Sequence, residues 1–569
     1  MPVNIHSRLS GIILLLVSAL VFIPFLGNCN LFDWDEVNFA ECAREMLMSG
    51  DYSTVQIAFR PFWEKPPLFI WMQALSMHLF GVGEFAARFP NAVCGMLTVF
   101  LLYRIGSRLQ SRRFGLMWAL LLASTLLPHL YFKSGIIDPW YNFFILLSLY
   151  CAYSFIQEGP SYVKALFAGL VLGLAVLTKG PVALLLVALT LLVYLFWTKQ
   201  VKKLLSLHML VFVLITLLVS GSWFLVEGLR GNANLIREFI QYQLRLLNTG
   251  DSGHGGPWYY HLVVLLIGCF PVSLVFLLDF NRSSGDLPNS PPFRKLMLAL
   301  FWVVLLVFSV VKTKIIHYSS LCYFPMTYLA ARVIEEKSGK VRFSAWSGVL
   351  YTLLALILSS AFVLITMIEH WKENLIGRGW IKDEFAVQCL RSDVSWGSYE
   401  FLIGVFFLLA SFMVFRGIQS GKRTQVYTGA TIHLVVIFFA ILLIIPRIEA
   451  YTQRSAIDFY KSLSKEHCYL ETRGFKSYAY LFYSERKSTD YTNPDQIRYT
   501  EAQLQDMEKN GYSRLTSYAL ANLLWLENGK IDRPAYVIAK TIDEDVVSLN
   551  KNLSKLYNKN GYSFFIRKP

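Results

Sequence analysis

The sequence predicts a polytopic α-helical membrane protein of roughly thirteen transmembrane helices, followed by a C-terminal extracytoplasmic α/β domain. Three observations predict it. The 569 residues are 55% hydrophobic and only 16% charged, against about 25% charged in ordinary globular domains. The mean hydropathy is +0.45. Apolar runs near the ~20 residues that cross a bilayer recur as far as residue 446 and then stop. These figures exclude a soluble enzyme, and they exclude a disordered chain, which needs low hydrophobicity and high charge. Aromatics at 15%, with 14 Trp and 30 Tyr, suit a chain that meets many membrane–water interfaces.

The candidate spans lie near 10–27, 88–109, 113–131, 138–156, 163–178, 181–197, 206–226, 259–279, 296–311, 316–334, 346–366, 398–416 and 427–446. The first follows Arg8 and has no convincing small-x-small cleavage site, so it reads as an uncleaved span. The fifth and sixth meet at Lys179-Gly180-Pro181, which punctuates a tight hairpin better than one long helix. Orientation follows from Lys and Arg in the loops. Even-numbered loops hold Arg104, Arg108, Arg112, Arg113, Lys199, Lys202, Lys203, Arg294, Lys295, Arg416, Lys422 and Arg423. The first loop instead sets Arg44, Arg60, Lys65 and Arg88 against eight acidic residues from Asp33 to Glu84. The N-terminus is therefore expected in the cytoplasm. The first loop, the Lys179 turn, the 227–258 loop, the 312–315 turn and the C-terminus are expected outside.

The net charge of +15 fits the positive-inside rule and anionic membrane lipids. No basic soluble face asks for nucleic acid. The eight cysteines show no metal-type spacing, and Cys29 with Cys42, or Cys389 with Cys468, are the candidates for pairing outside the cell. Residues 1–446 form the transmembrane domain. Residues 447–569 are polar, with strands expected at Cys468–Leu470, Ala535–Ala539 and Tyr562–Ile566 and helices at Ser455–Ser464 and Glu501–Asn510. Within the 28–87 loop, helical periodicity over Val37–Ser49 and an apolar run over Pro66–Phe80 predict two helices lying along the membrane interface.

Ionisable residues at membrane depth are costly and default to functional candidates. Asp33-x-Asp35-Glu36 follows the first span; such carboxylates act as a general base, bind a cation or cap a helix. Lys65, in Glu64-Lys65-Pro66-Pro67, sits at a helix N-terminus where its charge is unfavourable. It therefore wants an anion: Glu64, or a phosphate. Asp138 precedes Pro139 and is either a cap or a functional carboxylate. Lys179, and Lys312-x-Lys314 with His317 and Tyr318, add outward cations, either snorkelling or gathered for an anionic head with a lipid tail. His254 precedes Trp258-Tyr259-Tyr260 and becomes a metal ligand only if a carboxylate such as Glu64 lies near. No Walker A, GxGxxG, HExxH or GxSxG motif stands in a credible context, so no nucleotide cofactor is expected.

The stretch Asp35-Glu36-x-x-Phe39-Ala40-Glu41-x-Ala43-Arg44-Glu45-Met46-Leu47-x-Ser49-Gly50-Asp51 resembles the first periplasmic loop of bacterial aminoarabinose lipid A transferases. Phe62-Trp63-Glu64-Lys65-Pro66-Pro67, Leu177-Thr178-Lys179-Gly180-Pro181 and His254-x-x-Pro257-Trp258-Tyr259-Tyr260 are similar to further motifs of that family. These are GT-C membrane glycosyltransferases related to the protein O-mannosyltransferases. The resemblance implies a bacterial inner-membrane enzyme acting on the periplasmic side. It would transfer a sugar by inverting displacement from a polyprenyl-phosphate-linked donor to lipid A or a related glycolipid. A protein acceptor, and less favourably a transporter or flippase for a lipid-linked anion, are the alternatives. By resemblance Asp35 and Asp138 are the catalytic carboxylates. Lys65, Lys179, Lys314 and Tyr318 hold the donor phosphate. Glu36, Asn38 and Arg44 face the acceptor or support the site. Glu64 with His254 binds a divalent metal, Zn or Mg, that need not be catalytic. The family pattern has Arg-Tyr where this chain has Asn38-Phe39. The chain is expected to act as a monomer.

Overall fold

The computed structural model describes residues 5–62, 64–248, 255–280, 292–335, 342–491 and 514–569. It is mostly helical. Helices α1 (Ile5–Phe22), α2 (Asp35–Ser49), α3 (Leu68–Phe80), α4 (Glu84–Leu109), α5 (Arg112–Ala123), α6 (Leu126–Phe132), α7 (Asp138–Gln157), α8 (Tyr162–Lys179), α9 (Val182–Trp197), α10 (Leu207–Leu229) and α11 (Ala233–Asn248) build the N-terminal part. Among the described residues eight helices are long and apolar enough to cross a membrane. The number rises to ten if two bent pairs each count as one crossing: α5 with α6, bent by 77°, and Tyr260–Gly268 with Val272–Asp279, bent by 112°. The remaining expected spans fall on shorter helices: α1, α9 and Tyr323–Glu335. A multi-pass membrane protein follows from these lengths.

The hairpin at Lys179 forms as the sequence predicts. Helix α8 ends at Lys179, Gly180 takes φ 118°, and α9 begins at Val182. That backbone conformation favours glycine, and a Cβ there would also meet the Phe239 ring of α11 at 3.1 Å. Asp138 and Lys179 therefore share one end of the bundle. Arg108 and Lys164 pair with Glu158 at the opposite end, at 2.7 and 2.9 Å.

The 28–87 loop departs from expectation. Ten of the fifteen residues of α2 are buried, so α2 is not an interfacial helix. It is enclosed because Val37, Phe39, Ala40 and Ala43 share one apolar core with Ile457, Tyr460, Leu481 and Phe564 of the C-terminal part. Helix α3 keeps an outward apolar face, with Leu75, Leu79 and Phe80 exposed, which suits a membrane interface.

Arg88 of α4 ties this region together. Its Nε and Nη2 donate to the two Glu36 carboxylate oxygens at 2.8 Å. Its other N–H groups donate to the carbonyls of Leu26, Cys29 and Asn30 at 2.7–3.0 Å. All five guanidinium donors are thereby used. Glu36 also accepts from the backbone N–H of Phe32 at 2.8 Å and of Gly135 at 2.6 Å. A Cβ on Gly135 would press on Ala87, Gln73 and Glu36 at 3.2 Å, so the residue must be small there. Burial pushes the Glu36 carboxyl up, but the Arg88 charge and these hydrogen bonds outweigh it and hold the group below its ordinary value.

The composition change at residue 447 does not mark a structural break. The last long helix runs from Arg423 through Pro446 to Thr452, and the next begins at Arg454. A proline removes only one intrahelical N–H. Side chains steady the helix end instead: Glu449 accepts from Asn30 at 2.8 Å and pairs with Arg454. Beyond it lies a four-stranded sheet in the order β3-β4-β6-β5, with β3 (Tyr469–Arg473) parallel to β4 (Ala535–Lys540). Strands β5 (Ser554–Lys559) and β6 (Tyr562–Arg567) complete it antiparallel. (The pairs Gln56–Ile57 and Arg60–Pro61, β1 and β2, form a separate small ribbon.) Strands β3, β4 and β6 follow the apolar runs; β5 is exposed along its length, so no buried face announced it. The helix expected at 501–510 lies outside the described residues. All eight cysteines are unbridged thiols.

Replacing Arg88 by Lys keeps the charge but loses the planar fork. Three donors cannot satisfy five acceptors, so thermal unfolding of the detergent-purified protein is expected to show a loss on the order of 3 kcal/mol; an unchanged midpoint contradicts the assigned role. Glu471 on β3 is buried, accepts from Asn522 at 3.0 Å, and is pushed up to about 7 by burial. Its folded value exceeds its unfolded one, so the folded state holds the extra proton. Its contribution is complete at acid pH and lost as pH rises through 7. Glu471→Gln is expected to flatten that decline in pH-dependent denaturant melts; a parallel slope contradicts it.

Candidate active site

The end of the bundle that carries Asp138 and Lys179 opens into a cavity of about 900 Å³. This is the upper part of the ~300–1,000 Å³ range of small-molecule sites. One wall is apolar, with Phe438, Ile441, Leu442 and Ile445 from the last long helix. Another part of the lining is charged and carries Asp33, Asp35, Glu64, Lys65, Lys179 and His317. A cavity half greasy and half charged suits an amphiphile with a polar head.

At the charged wall four chain segments converge. Asp35, in the first turn of α2, faces His317 with 3.5 Å between its Oδ2 and Nε2. The same nitrogen lies 3.7 Å from Asp138 Oδ2. Asp138 Oδ1 accepts from Lys179 Nζ at 2.5 Å. The Lys179 ammonium lies over the Tyr318 ring at 5.0 Å and the Tyr141 ring at 5.6 Å. Asp35 is therefore neither unsupported nor a helix cap: the N-cap is Trp34, with no side-chain cap bond. Lys65 lies over the Tyr242 ring of α11 at 5.2 Å, and Arg245 stacks on the same ring at 5.3 Å. Asp33 completes the wall, pushed up to about 6 by burial.

The structure brings Asp35, Asn38, Glu64, Lys65, Lys179 and Tyr318 to this cavity. The Asn38 Oδ1 finds no hydrogen-bond partner among the described residues. Other expected roles change. Asp138 does not line the cavity; it lies behind Lys179 and His317, its side chain 2% exposed. Lys314 lines the cavity with its stem, but its ammonium donates to the carbonyls of Phe308, Ser309 and Val311 at 2.6–2.9 Å. It caps the helix Phe293–Val310, and its three donors are all used. Glu36 is spent on Arg88 as described above. Arg44 pairs with Glu41 at 2.6 Å and donates to the Arg486 carbonyl at 2.8 Å, away from the cavity, where α2 meets the C-terminal part. His254 lies outside the described residues, and among those described no three His, Cys, Asp or Glu side chains gather as a metal cage.

Sequence reasoning missed the roles of His317, Tyr242 and Arg245. His317 stood beside Tyr318 in the sequence, but a lone histidine gives no sign of the two carboxylates it meets from α2 and α7. Helix α11 has strong helical amphipathicity, which signalled a helix and not its docking over Lys65. Lys476 and Tyr478, from the C-terminal part, also reach the cavity rim.

The family profile described as dolichyl-phosphate-mannose-protein mannosyltransferase matches residues 64–223. The undecaprenyl phosphate-alpha-4-amino-4-deoxy-L-arabinose arabinosyl transferase of Pectobacterium carotovorum is 28% identical over 409 residues, 68% of this chain and 72% of that protein. The enzyme of the same name from Pseudomonas paraeruginosa is 30% identical over 337 residues, 58% of this chain and 61% of that protein. The crystal structure of ArnT from Cupriavidus metallidurans bound to undecaprenyl phosphate superposes with a TM-score of 0.73 at 17% identity, covering 99% of this chain and 98% of that one. That likeness establishes the fold. Together these matches show a chain that resembles the GT-C membrane glycosyltransferases, and among them the bacterial aminoarabinose transferases.

Proposed function

We propose that the protein is a membrane glycosyltransferase that moves a sugar from a polyprenyl-phosphate-linked donor to lipid A or a related glycolipid, with inversion. The observation that carries the reading is the cavity wall, where a carboxylate, Asp35, shares one face with two lysines beside an apolar wall. The apolar wall takes the first part of the polyprenyl tail. Lys65 and Lys179 hold the phosphate. The acceptor attacks the anomeric carbon in line, and the bond from that carbon to the phosphate oxygen breaks. The leaving polyprenyl phosphate gains negative charge, which fixed ammonium groups stabilise. Asp35 orients or deprotonates the acceptor.

The proposal places the site on the periplasmic side of a bacterial inner membrane. All thirteen expected spans cross it, and the C-terminal sheet folds outside as an α/β unit over the cavity. The sugar is a pentose or hexose. Glu64 gives one oxygen donor, and with His254 the set still falls short of the three or four protein ligands of zinc sites. No step is therefore routed through a metal. The match of residues 64–223 to the protein mannosyltransferase profile favours a second reading, in which the acceptor is a protein hydroxyl.

Mass spectrometry of glycolipids and envelope glycoproteins from cells with and without the gene distinguishes the two readings. Asp35→Asn, which preserves shape, is expected to cut transfer by about 10²–10⁴-fold while the protein still inserts in the membrane; full activity refutes the assignment. Lys65→Ala is expected to weaken binding of undecaprenyl phosphate by roughly tenfold or more, as for loss of one charged hydrogen bond. Unchanged affinity removes Lys65 from the phosphate site.

A further inference from the structure

We propose that Trp34 is the platform on which the donor's sugar ring lies, its indole stacked against the C–H face of that ring beside Asp35. The inference rests on the glycosyl-transfer reading and deepens it. Trp34 stands between Asp33 and Asp35 and lines the cavity with them. Nearly half of it, 46%, is exposed. Its backbone is held at φ 73° and ψ −122°. Those are the angles of the first central position of a type II′ turn, which glycine dominates because a Cβ is crowded there. For a bulky residue a positive φ is a genuine outlier.

The outlier has a structural cause on each side. The Asp33 backbone N–H donates to Gln453 Oε1 at 3.2 Å, and Gln453 Nε2 donates back to the Leu31 carbonyl at 2.8 Å. The Trp34 N–H donates to Asp33 Oδ1 at 2.9 Å. Beyond it the Asn38 N–H donates to the Trp34 carbonyl at 2.9 Å, and Glu36 is locked to Arg88. The chain must therefore turn sharply between a pinned approach and a pinned helix. In an extended chain neighbouring residues face opposite ways; the turn at Trp34 brings Asp33, Trp34 and Asp35 to one cavity. Glycine would make that turn without strain. The indole is thus present against the preference of its own backbone, and strain of this kind gathers at positions that clamp ligands. An interfacial anchor, the ordinary role of an exposed tryptophan in a membrane protein, asks for no such backbone and no place in a charged cavity.

The groups already placed leave the sugar next to Trp34. The tail takes the apolar wall, and the phosphate takes Lys65 and Lys179. The sugar is joined directly to that phosphate and has to present its anomeric carbon at Asp35, the residue after Trp34. A sugar ring carries hydroxyls around its rim and C–H bonds over its faces. Those hydrogens are weakly positive, and the face of an indole is negative. Stacking also removes apolar area of both partners from water. It fixes the plane of the ring while leaving its hydroxyls, and the line of attack at the anomeric carbon, open. Trp34 is accordingly a binding and orienting residue, neither acid nor base.

The test uses the purified full-length protein in detergent. A lipid-phosphate fraction from cells lacking the gene supplies the donor, and the remaining envelope fraction of those cells supplies the acceptor. Each is titrated against a fixed excess of the other, and product is followed by mass spectrometry. Trp34→Leu keeps apolar bulk without a ring, and Trp34→Gly removes the ring while relaxing the backbone. Both are expected to raise the donor KM roughly tenfold, the scale of losing one aromatic stack and the area it covers. The acceptor KM should stay at the wild-type value, as should the affinity for undecaprenyl phosphate, which carries no sugar. Trp34→Phe keeps a smaller ring and is expected within about threefold of the wild type. A wild-type donor KM in the Leu and Gly variants overturns the proposal. So does a rise in the acceptor KM alone, which places the ring at the acceptor. A Phe variant as impaired as the Leu variant also overturns it, since an aromatic face would then not be what matters. Loss of undecaprenyl phosphate binding in both the Leu and Gly variants does the same, because the indole would then serve the fold or the phosphate. A wild-type protein that neither binds undecaprenyl phosphate nor transfers a sugar overturns the underlying function itself, and this outcome is distinct from a failure of Trp34.

Discussion

The saturated guanidinium of Arg88 is the constraint on which the site depends. A buried arginine is tolerable only if every N–H finds an acceptor, and Arg88 finds all five, from Glu36 and from the stretch Leu26–Asn30. Two acceptors belong to Glu36, the neighbour of Asp35. Three are carbonyls in the stretch that leaves the first span. Through Glu36 the network also reaches Gly135, three residues before Asp138. The positions of Asp35 and Asp138 are thus tied to one buried cation, although neither touches it. Removing a donor leaves a buried acceptor unpaired, which costs more than the bond itself contributes. The segments therefore move together or not at all.

Around this anchor, charges divide into those that hold the protein together and those left for chemistry. Lys314 and Arg44 have their donors occupied by carbonyls or a carboxylate. Asp279 is occupied likewise by Arg294 and Arg332 at the other end of the bundle. Lys65 keeps an aromatic face as its neighbour instead, and Lys179 has aromatic faces beside its pairing with Asp138. An aromatic ring stabilises an ammonium without neutralising it, so the positive field of Lys65 remains available to an anion. Low dielectric strengthens that field. Proximity in sequence does not separate the two classes, since Lys314 and Tyr318 are four residues apart.

The first loop and the C-terminal sheet form one packed layer. Phe39 and Phe564, 525 positions apart (564 − 39), belong to the same apolar core. This explains why the composition boundary at 447 is not a structural one: the change in polarity records where the apolar stretch of the last long helix ends, not where one core ends. It also explains the error about α2. Its charged residues Glu36, Glu41, Arg44 and Glu45 look like a solvent-facing stripe, but all four are buried and paired or hydrogen-bonded. Periodicity reports which residues differ in polarity; it does not report which partner will cover them.

The sequence by itself determined the membrane class, the helix positions, the Lys179 hairpin and the short list of charges at the ends of the apolar spans. Each of these follows from local rules: the cost of charge in hydrocarbon, the length needed to cross it, and the breaking of helices at glycine and proline. Asp35, Lys65 and Lys179 were legible because a lone charge at membrane depth is expensive and therefore conspicuous. Only the tertiary structure decided which of those charges remain free to act. His317 met two carboxylates from helices more than a hundred residues away in the chain, Asp138 withdrew behind the wall, and Lys314 was consumed by a helix end. Those outcomes depend on which groups pair across long sequence separations, and pairing is a property of distance in space, which local sequence rules do not contain.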